Sequence, residues 1–306
     1  MTRGFVTMAT GNDNYYRIAR NLLRSYRYFS ANPMPFSLIC DRKGPLTEAF
    51  DDVIILNEPT YSYLDKLKLP EYVPYDETIF VDADCLAYRD LNDFWEAFEG
   101  GTDFSAFGTD YPTDWPWAWF KCADVGEFAS QIQTIPDFIG GVYFFRKSEQ
   151  LITFSETCNY ILDNYQRFRF RQFSEPADEP VFALAMAIHG YATAGEKSLP
   201  VCFYPHALYF ETDIQKGYIC YNSRYTLEKG LQADAYLIHW GSGNTRKPKY
   251  LLEEYKLRKM AEGILLGKAQ VSLAKVRIVM RYLFKAVLRR VGLRKLSEYI
   301  QDGFFS

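Results

Sequence analysis

The segment Ile79-Phe80-Val81-Asp82-Ala83-Asp84 constrains this chain more than any other. A run of strand-forming apolar residues ends in two carboxylates separated by one small residue. Side chains at i and i+2 of an extended segment point the same way, so Asp82 and Asp84 can converge on one ligand. Two hard oxygen donors at a strand end suit Mg²⁺ or Mn²⁺ with positions left open for a diphosphate. Turns after strands are also rich in Asp that only solvates or caps. The surrounding sequence has to decide between these readings.

Strands and helices alternate on both sides of that segment. Gly4–Thr10 reads as a buried strand, and a helix follows from about Asn14 to Ser30 with Ile18, Leu22, Leu23 and Tyr26 at helical spacing. Phe36–Cys40, Val53–Leu56, Phe104–Phe107, Phe138–Phe145 and Tyr236–His239 read as further strands. Leu91–Phe98, Ser148–Tyr165 and Asp178–His189 read as helices. The alternation predicts an α/β fold with a mostly parallel sheet flanked by helices. Ligands of such sheets sit beyond the carboxyl ends of the strands, where Thr10 and Asp84 fall.

These residues resemble the nucleotide-sugar glycosyltransferases of the GT-A (Rossmann-like) fold. The likeness is to the retaining family of glycogenin and the lipopolysaccharide galactosyltransferases, and it runs over roughly Phe5–Lys249. It implies that Ala9, Thr10 and Tyr15 hold uracil and ribose, and that Lys66, with Lys68 as the alternative, holds the donor sugar or diphosphate. Asp82 and Asp84 would bind Mn²⁺ (or Mg²⁺), with Asp82 also reaching the donor. His239, at the end of an apolar strand, resembles the third metal ligand; an imidazole suits Mn²⁺. Gly241 and Gly243 would let backbone amides approach a phosphate, with Lys247 adding charge. His239 to Lys247-Pro248 is two residues longer than the usual spacing, which leaves Arg246 and Lys249 as substitutes. Asp178-Glu179 resembles an Asp-Gln pair on the sugar side, and Asp178 is the one candidate catalytic carboxylate; capping a helix is the competing role. Ile139-Gly140-Gly141 stands where an Asn/Ser-Gly element lines the donor site, so its sugar contacts must differ. The Trp115/Trp117/Trp119 loop offers rings to an acceptor glycan or to the core.

Composition bounds the partners. From Lys256 onward, 12 basic residues face 3 acidic ones, a surplus of nine; the other 23 basic and 35 acidic residues leave the body at −12. An acidic body offers no nucleic-acid surface. The tail from Gln270 to Leu296 carries Val276, Met280, Leu283, Val287 and Val291 on one stripe, beside Arg277, Arg281, Lys285 and Arg289. This fits an interfacial helix on an anionic membrane. The expected division is a catalytic domain over 1–250 and a basic amphipathic helical extension over 251–306. The six cysteines show no zinc-finger spacing, no signal peptide precedes the first strand, and the expected location is cytoplasmic, on the inner face of the membrane. The expected activity is metal-dependent transfer of a hexose from a UDP-sugar to a lipid-linked or cell-surface glycan. Two other readings stand beside it. One is a haloacid-dehalogenase-type phosphatase, which also uses Asp-x-Asp but on its first strand. The other is a non-catalytic glycan- or membrane-binding relative.

Overall fold

The computed structural model describes residues 1–116, 118–171, 174–195, 201–223, 230–233 and 235–290. Strand β1 (Arg3–Ala9) runs through the Gly11-Asn12 turn into α1 (Asp13–Phe29). Asn12 caps that helix, its side chain accepting from the Asn14 amide. Strands β2 (Phe36–Cys40), β3 (Asp52–Ile55) and β4 (Glu77–Val81) follow, with the short α2 (Leu69–Tyr72) before β4. After β5 (Cys85–Ala87) and α3 (Phe94–Phe98) come β6 (Phe104–Pro112) and β7 (Thr134–Arg146).

The main sheet has the order β3-β2-β1-β4-β7-β6. β1 to β4 pair in parallel, while β7 runs antiparallel to both of its neighbours, so the sheet is mostly parallel. The chain moves outward from β1 through β2 to β3, then returns to place β4 on the other side of β1. That reversal opens a crevice at the carboxyl ends of β1 and β4, the place where such sheets bind ligands. Asp82 and Asp84 follow β4 directly.

Side chains alternate across the sheet into two cores. Phe5, Ile79, Val81 and Phe144 face α1, while Val6, Phe80, Tyr143 and Phe145 face α4 (Glu149–Asp163) and α5 (Asp178–His189). α5 keeps the bounds expected from sequence, and Gly190 ends it in a left-handed conformation at φ 64°.

The expected strand at Tyr236–His239 and three strands that the sequence reading lacks complete the crevice. β8 (Val201–Phe203), the hairpin of β9 (Ala207–Asp213) and β10 (Tyr218–Ser223), and β11 (Leu237–His239) add a sheet of order β5-β11-β8 and a two-stranded ribbon. β11 pairs antiparallel with β5, which puts His239 opposite Cys85, one residue beyond the acidic pair. Thus the last strand is stitched to the strand that follows the motif.

α6 (Pro248–Ala261) crosses the expected boundary at residue 250. Its Tyr250, Leu257 and Met260 sit in the α1-side core. Glu253 accepts from the Ile214 amide at 2.7 Å and pairs with Lys256 at 2.9 Å, which also reaches Asp213. α6 is therefore packed into the body. α7 (Lys268–Arg290) is different: only Ala274 and Leu288 are buried along it. Val291 and Leu296 of the expected tail lie outside the described residues.

Candidate active site

Each carboxylate at the end of β4 is held by backbone bonds on both sides. The Asp82 amide donates to the Gly141 carbonyl at 2.9 Å, and the Trp240 amide donates to the Asp84 carbonyl at 3.1 Å. β7 and the turn after β11 thereby fix the motif from opposite sides. The Asp82 Oδ1 accepts from the Ala83 amide at 2.9 Å, leaving Oδ2 to face the crevice groups.

Two cations sit among these acids. Lys66 Nζ lies 2.7 Å from Asp82 Oδ2, 3.3 Å from Asp178 Oδ2 and 3.3 Å from the Gly140 carbonyl. His239 Nε2 lies 3.0 Å from Asp84 Oδ1 and 3.7 Å from Asp82 Oδ2. Burial works to lower the Lys66 pKa, but Asp178 and Asp82 outweigh it and hold the ammonium well above its ordinary value. Burial likewise opposes charge on His239, and Asp84 outweighs it, so that pKa is raised as well. For Asp82, burial wins over Lys66 and the carboxyl is raised; for Asp84, the His239 charge overcomes burial and the carboxyl is lowered.

The local sequence explains why Lys66 reaches this place. It lies on a 3₁₀ turn, Tyr63–Lys68, capped by Ser62, and Asp65 on the same turn accepts from the Thr60 and Tyr61 amides. Thr10 Oγ1 donates to Asp65 Oδ2 at 3.3 Å, tying the end of β1 to this turn. Lys68 points elsewhere, its ammonium donating to the Asn57 and Glu58 carbonyls.

Gly140 and Gly141 occupy a bulge. From Ala106↔Tyr143 to Gly108↔Phe138, two steps on β6 span five on β7. A Cβ on Gly140 would lie 2.5 Å from the Tyr143 hydroxyl and 2.9 Å from Glu179; one on Gly141 would lie 2.7 Å from His239 Nδ1. Both positions need glycine because the site's side chains already fill that space. Glu179 Oε1 accepts the Gly140 amide at 2.7 Å, and Tyr143 donates to Asp178 Oδ2 at 3.0 Å. Asp178 sits in the first turn of α5 without a capping bond; Ala177 is the cap residue. Its charge is instead used on Lys66.

The structure thus brings together Lys66, Asp82, Asp84, Asp178 and His239. Ala9 is buried at the end of β1, whereas Tyr15 is exposed on α1. Gly241 turns the chain at φ 71°, a conformation that favours glycine, and Gly243 follows in a 3₁₀ turn. Lys247 is exposed at the cap of α6, and the Lys249 ammonium donates to the Phe210 carbonyl. In the Trp loop, Trp115 stacks on Tyr111 with centroids 4.4 Å apart, and Trp115 and Trp119 pack on the α5-side core; Trp117 lies outside the described residues. Asp110 accepts from the Thr193 amide. Tyr143 and Cys85 belong to the site and were missed. Cys85 had a signal, its place directly after the motif, but the strand pairing that brings it to His239 is not local.

The donor set fits a divalent cation by its chemistry, since two carboxylates and an imidazole nitrogen converge at one strand end. Asp84 Oδ1 faces His239 Nε2, and the other ring nitrogen, Nδ1, is buried against Gly141 without a hydrogen bond. Among the described residues, Asp84, Cys85 and His239 also form a group whose ligand atoms lie within 4.8 Å of one another.

No family model and no curated protein matches the chain. Solved structures do. An active-site mutant of the galactosyltransferase LgtC aligns at 12% identity and a TM-score of 0.54, over 87% of this chain and 98% of that one. LgtC in complex with donor and acceptor sugar analogues aligns at 14% and 0.44, over 65% and 75%. The apo-form glycosyltransferase GlyE of Streptococcus pneumoniae TIGR4 aligns at 17% and 0.40, over 63% of this chain and 45% of that one. The fold is GT-A, similar to that of LgtC.

Glu179 gives a test of this geometry. Burial, with Asp178 beside it, pushes its carboxyl up to about 7. The folded state then holds a proton that the unfolded chain releases earlier. The stability this contributes is complete below the ordinary Glu range and is lost as pH rises through about 7. Glu179→Gln keeps an oxygen for the Gly140 amide but cannot titrate. Its melting temperature should fall less than the wild type's between about pH 5 and about pH 8. Equal slopes would contradict the buried position of this carboxyl.

Proposed function

We propose that this chain is a metal-dependent glycosyltransferase that moves a hexose from a UDP-sugar to a hydroxyl of a lipid-linked or cell-surface glycan. The observation that carries the reading is the meeting of Asp82, Asp84, His239 and Lys66 beside the crevice where the strand order reverses. Asp82, Asp84 and His239 would hold Mn²⁺ or Mg²⁺, which would supply positive charge beside a departing diphosphate. The remaining work falls to the chain. Asp178 and Tyr143 hold Lys66 in place, so its charge is preorganised where the donor arrives. Ala9, Thr10 and Tyr15 line the approach for the nucleoside, and Gly241, Gly243 and Lys247 offer amides and charge for phosphate. Asp178 serves here by positioning; with Lys66 and Tyr143 on the same oxygen, it is poorly placed to take the acceptor's proton.

A retaining course follows from that arrangement. An inverting transfer needs a base opposite the leaving group. The carboxylates gathered here are committed to Lys66, His239 or the Gly140 amide, and Asp110 is committed to Thr193. A phosphate oxygen of the departing diphosphate can take the acceptor proton on the same face instead. The phosphatase reading is disfavoured because the acidic pair follows β4 rather than the first strand.

The partner at the body's edge is an anionic membrane, met through α7. This helix carries Lys268, Lys275, Arg277, Arg281, Lys285, Arg289 and Arg290 and no acidic residue. Leu273, Val276, Met280, Leu283 and Val287 are exposed along it. No described helix is long and apolar enough to cross a membrane. An exposed apolar stripe among cations suits the interface plane of a bilayer, and on this reading the enzyme works at the inner face of the cell membrane.

Two experiments test these readings. Asp84→Asn keeps shape and loses charge, so Mn²⁺-dependent turnover of a UDP-hexose should fall roughly a hundredfold or more with the circular dichroism unchanged. Wild-type product isolated from the same assay should be α-linked when the donor is α-linked. Unchanged turnover in the variant contradicts the metal assignment, and a β-linked product contradicts the retaining course. Separately, a chain ending at Gly267 keeps the packed α6 and loses α7. It should hydrolyse soluble donor as the full chain does and no longer sediment with phosphatidylserine vesicles, and salt should weaken sedimentation of the full chain. Vesicle binding that survives the truncation contradicts the assignment to α7.

A further inference from the structure

Cys85 is the one group in this centre that the reading above leaves idle. It opens β5, is fully buried, and stands opposite His239 in the strand register. Its sulfur, an Asp84 carboxylate oxygen and a His239 ring nitrogen lie within 4.8 Å of one another. The other two groups already face each other, Asp84 Oδ1 lying 3.0 Å from His239 Nε2, so a cation could enter between donors that the fold has already converged. Backbone bonds hold all three, through the Trp240 amide on Asp84 and the Cys85 amide on the Asp82 carbonyl at 3.0 Å. Such restraint leaves little freedom for the donors to move apart.

We propose that Asp84, Cys85 and His239 form a sulfur-containing metal site that takes Zn²⁺ in preference to Mn²⁺ or Mg²⁺. One nitrogen, one oxygen and one sulfur donor form the mixed set that zinc accepts, with a fourth position open to water. Thiolate is a soft ligand that strengthens binding of zinc far more than of the hard cations. The thiol gives up its proton to solvent on binding, and the dication offsets the burial and the nearby carboxylates that otherwise keep that proton in place. Zinc in this position uses Asp84 and His239, two of the three groups assigned to the catalytic cation, and leaves Asp82 with Lys66. Zn²⁺ therefore excludes Mn²⁺ and inhibits turnover. The inference shares residues with the proposed catalytic centre but is read on the substrate-free protein.

The test is a titration of the full chain with Co²⁺, an optical stand-in for Zn²⁺, followed by displacement with Zn²⁺. The expected result is a thiolate-to-cobalt charge-transfer band that saturates at one equivalent and is bleached by zinc. The band should persist in Asp82→Asn and in Cys202→Ser, a buried free thiol on the far side of β11. It should vanish in Cys85→Ser and in Cys85→Ala, either of which suffices provided its circular dichroism is native. Competition with a chromophoric chelator should show Zn²⁺ affinity reduced at least about tenfold in the Cys85 variant, with Mn²⁺ affinity changed much less. Absence of the band in the wild type, its survival in a folded Cys85 variant, or equal zinc affinity would overturn the proposal. Loss of donor turnover alone bears on the catalytic reading and leaves the band to decide this one.

Discussion

Five ionisable side chains are gathered at the end of β4, largely shielded from solvent, and they neutralise one another. Lys66 stands between Asp82 and Asp178, and His239 stands beside Asp84 with Asp82 next nearest. Taking one partner from such a set leaves a buried charge uncompensated, which typically costs about 3–5 kcal/mol. The alternation of signs is therefore a condition for the local fold. It is also a condition of responsiveness, because each acid already shares a cation and a newly arriving charge re-divides the set. The elements that contribute to this cluster come from four separated parts of the sequence: the 3₁₀ turn before β4, the end of β4, the start of α5 and the end of β11.

Backbone geometry makes the gathering possible. The bulge in β7 brings the Gly141 carbonyl to the Asp82 amide and the Gly140 amide to Glu179. Side chains at either glycine would collide with groups of the site. The absence of an amide side chain at this point thus has a positive reading: Glu179 and His239 occupy the room it would need. Glu179 supplies a polar group from α5 in its place.

Much of this was legible in the sequence, and for identifiable reasons. The first strand and helix, the acidic strand end and the limits of α5 announce themselves through local apolar spacing and turn chemistry. His239 stood out because an imidazole ended an apolar run. That Lys66 rather than Lys68 faces the acidic pair follows from the turn that Asp65 and Ser62 build. β5, β8 and the β9–β10 ribbon were hidden because strands of three to seven residues show little periodicity on their own. The pairing of Cys85 with His239 spans far too much chain for spacing to reveal. Most of α6 was counted with the basic extension beyond residue 250, yet its Glu253 and Lys256 satisfy each other inside the body. For Trp115 and Trp119 the sequence left ligand stacking and core packing open; in the structure they pack on the core.

The central claim is that the charge cluster is a cation-dependent nucleotide-sugar site. Thermal unfolding of the wild-type protein with a series of UDP-sugars, each with and without Mn²⁺, tests it most directly. A ligand that binds only the native state raises stability by RT ln(1 + [L]/Kd), whether or not the acceptor is known. The account predicts a rise in melting temperature for at least one UDP-hexose that is largest with Mn²⁺ and absent in Asp84→Asn. No shift with any UDP-sugar, or a shift of the same size without metal, would contradict it.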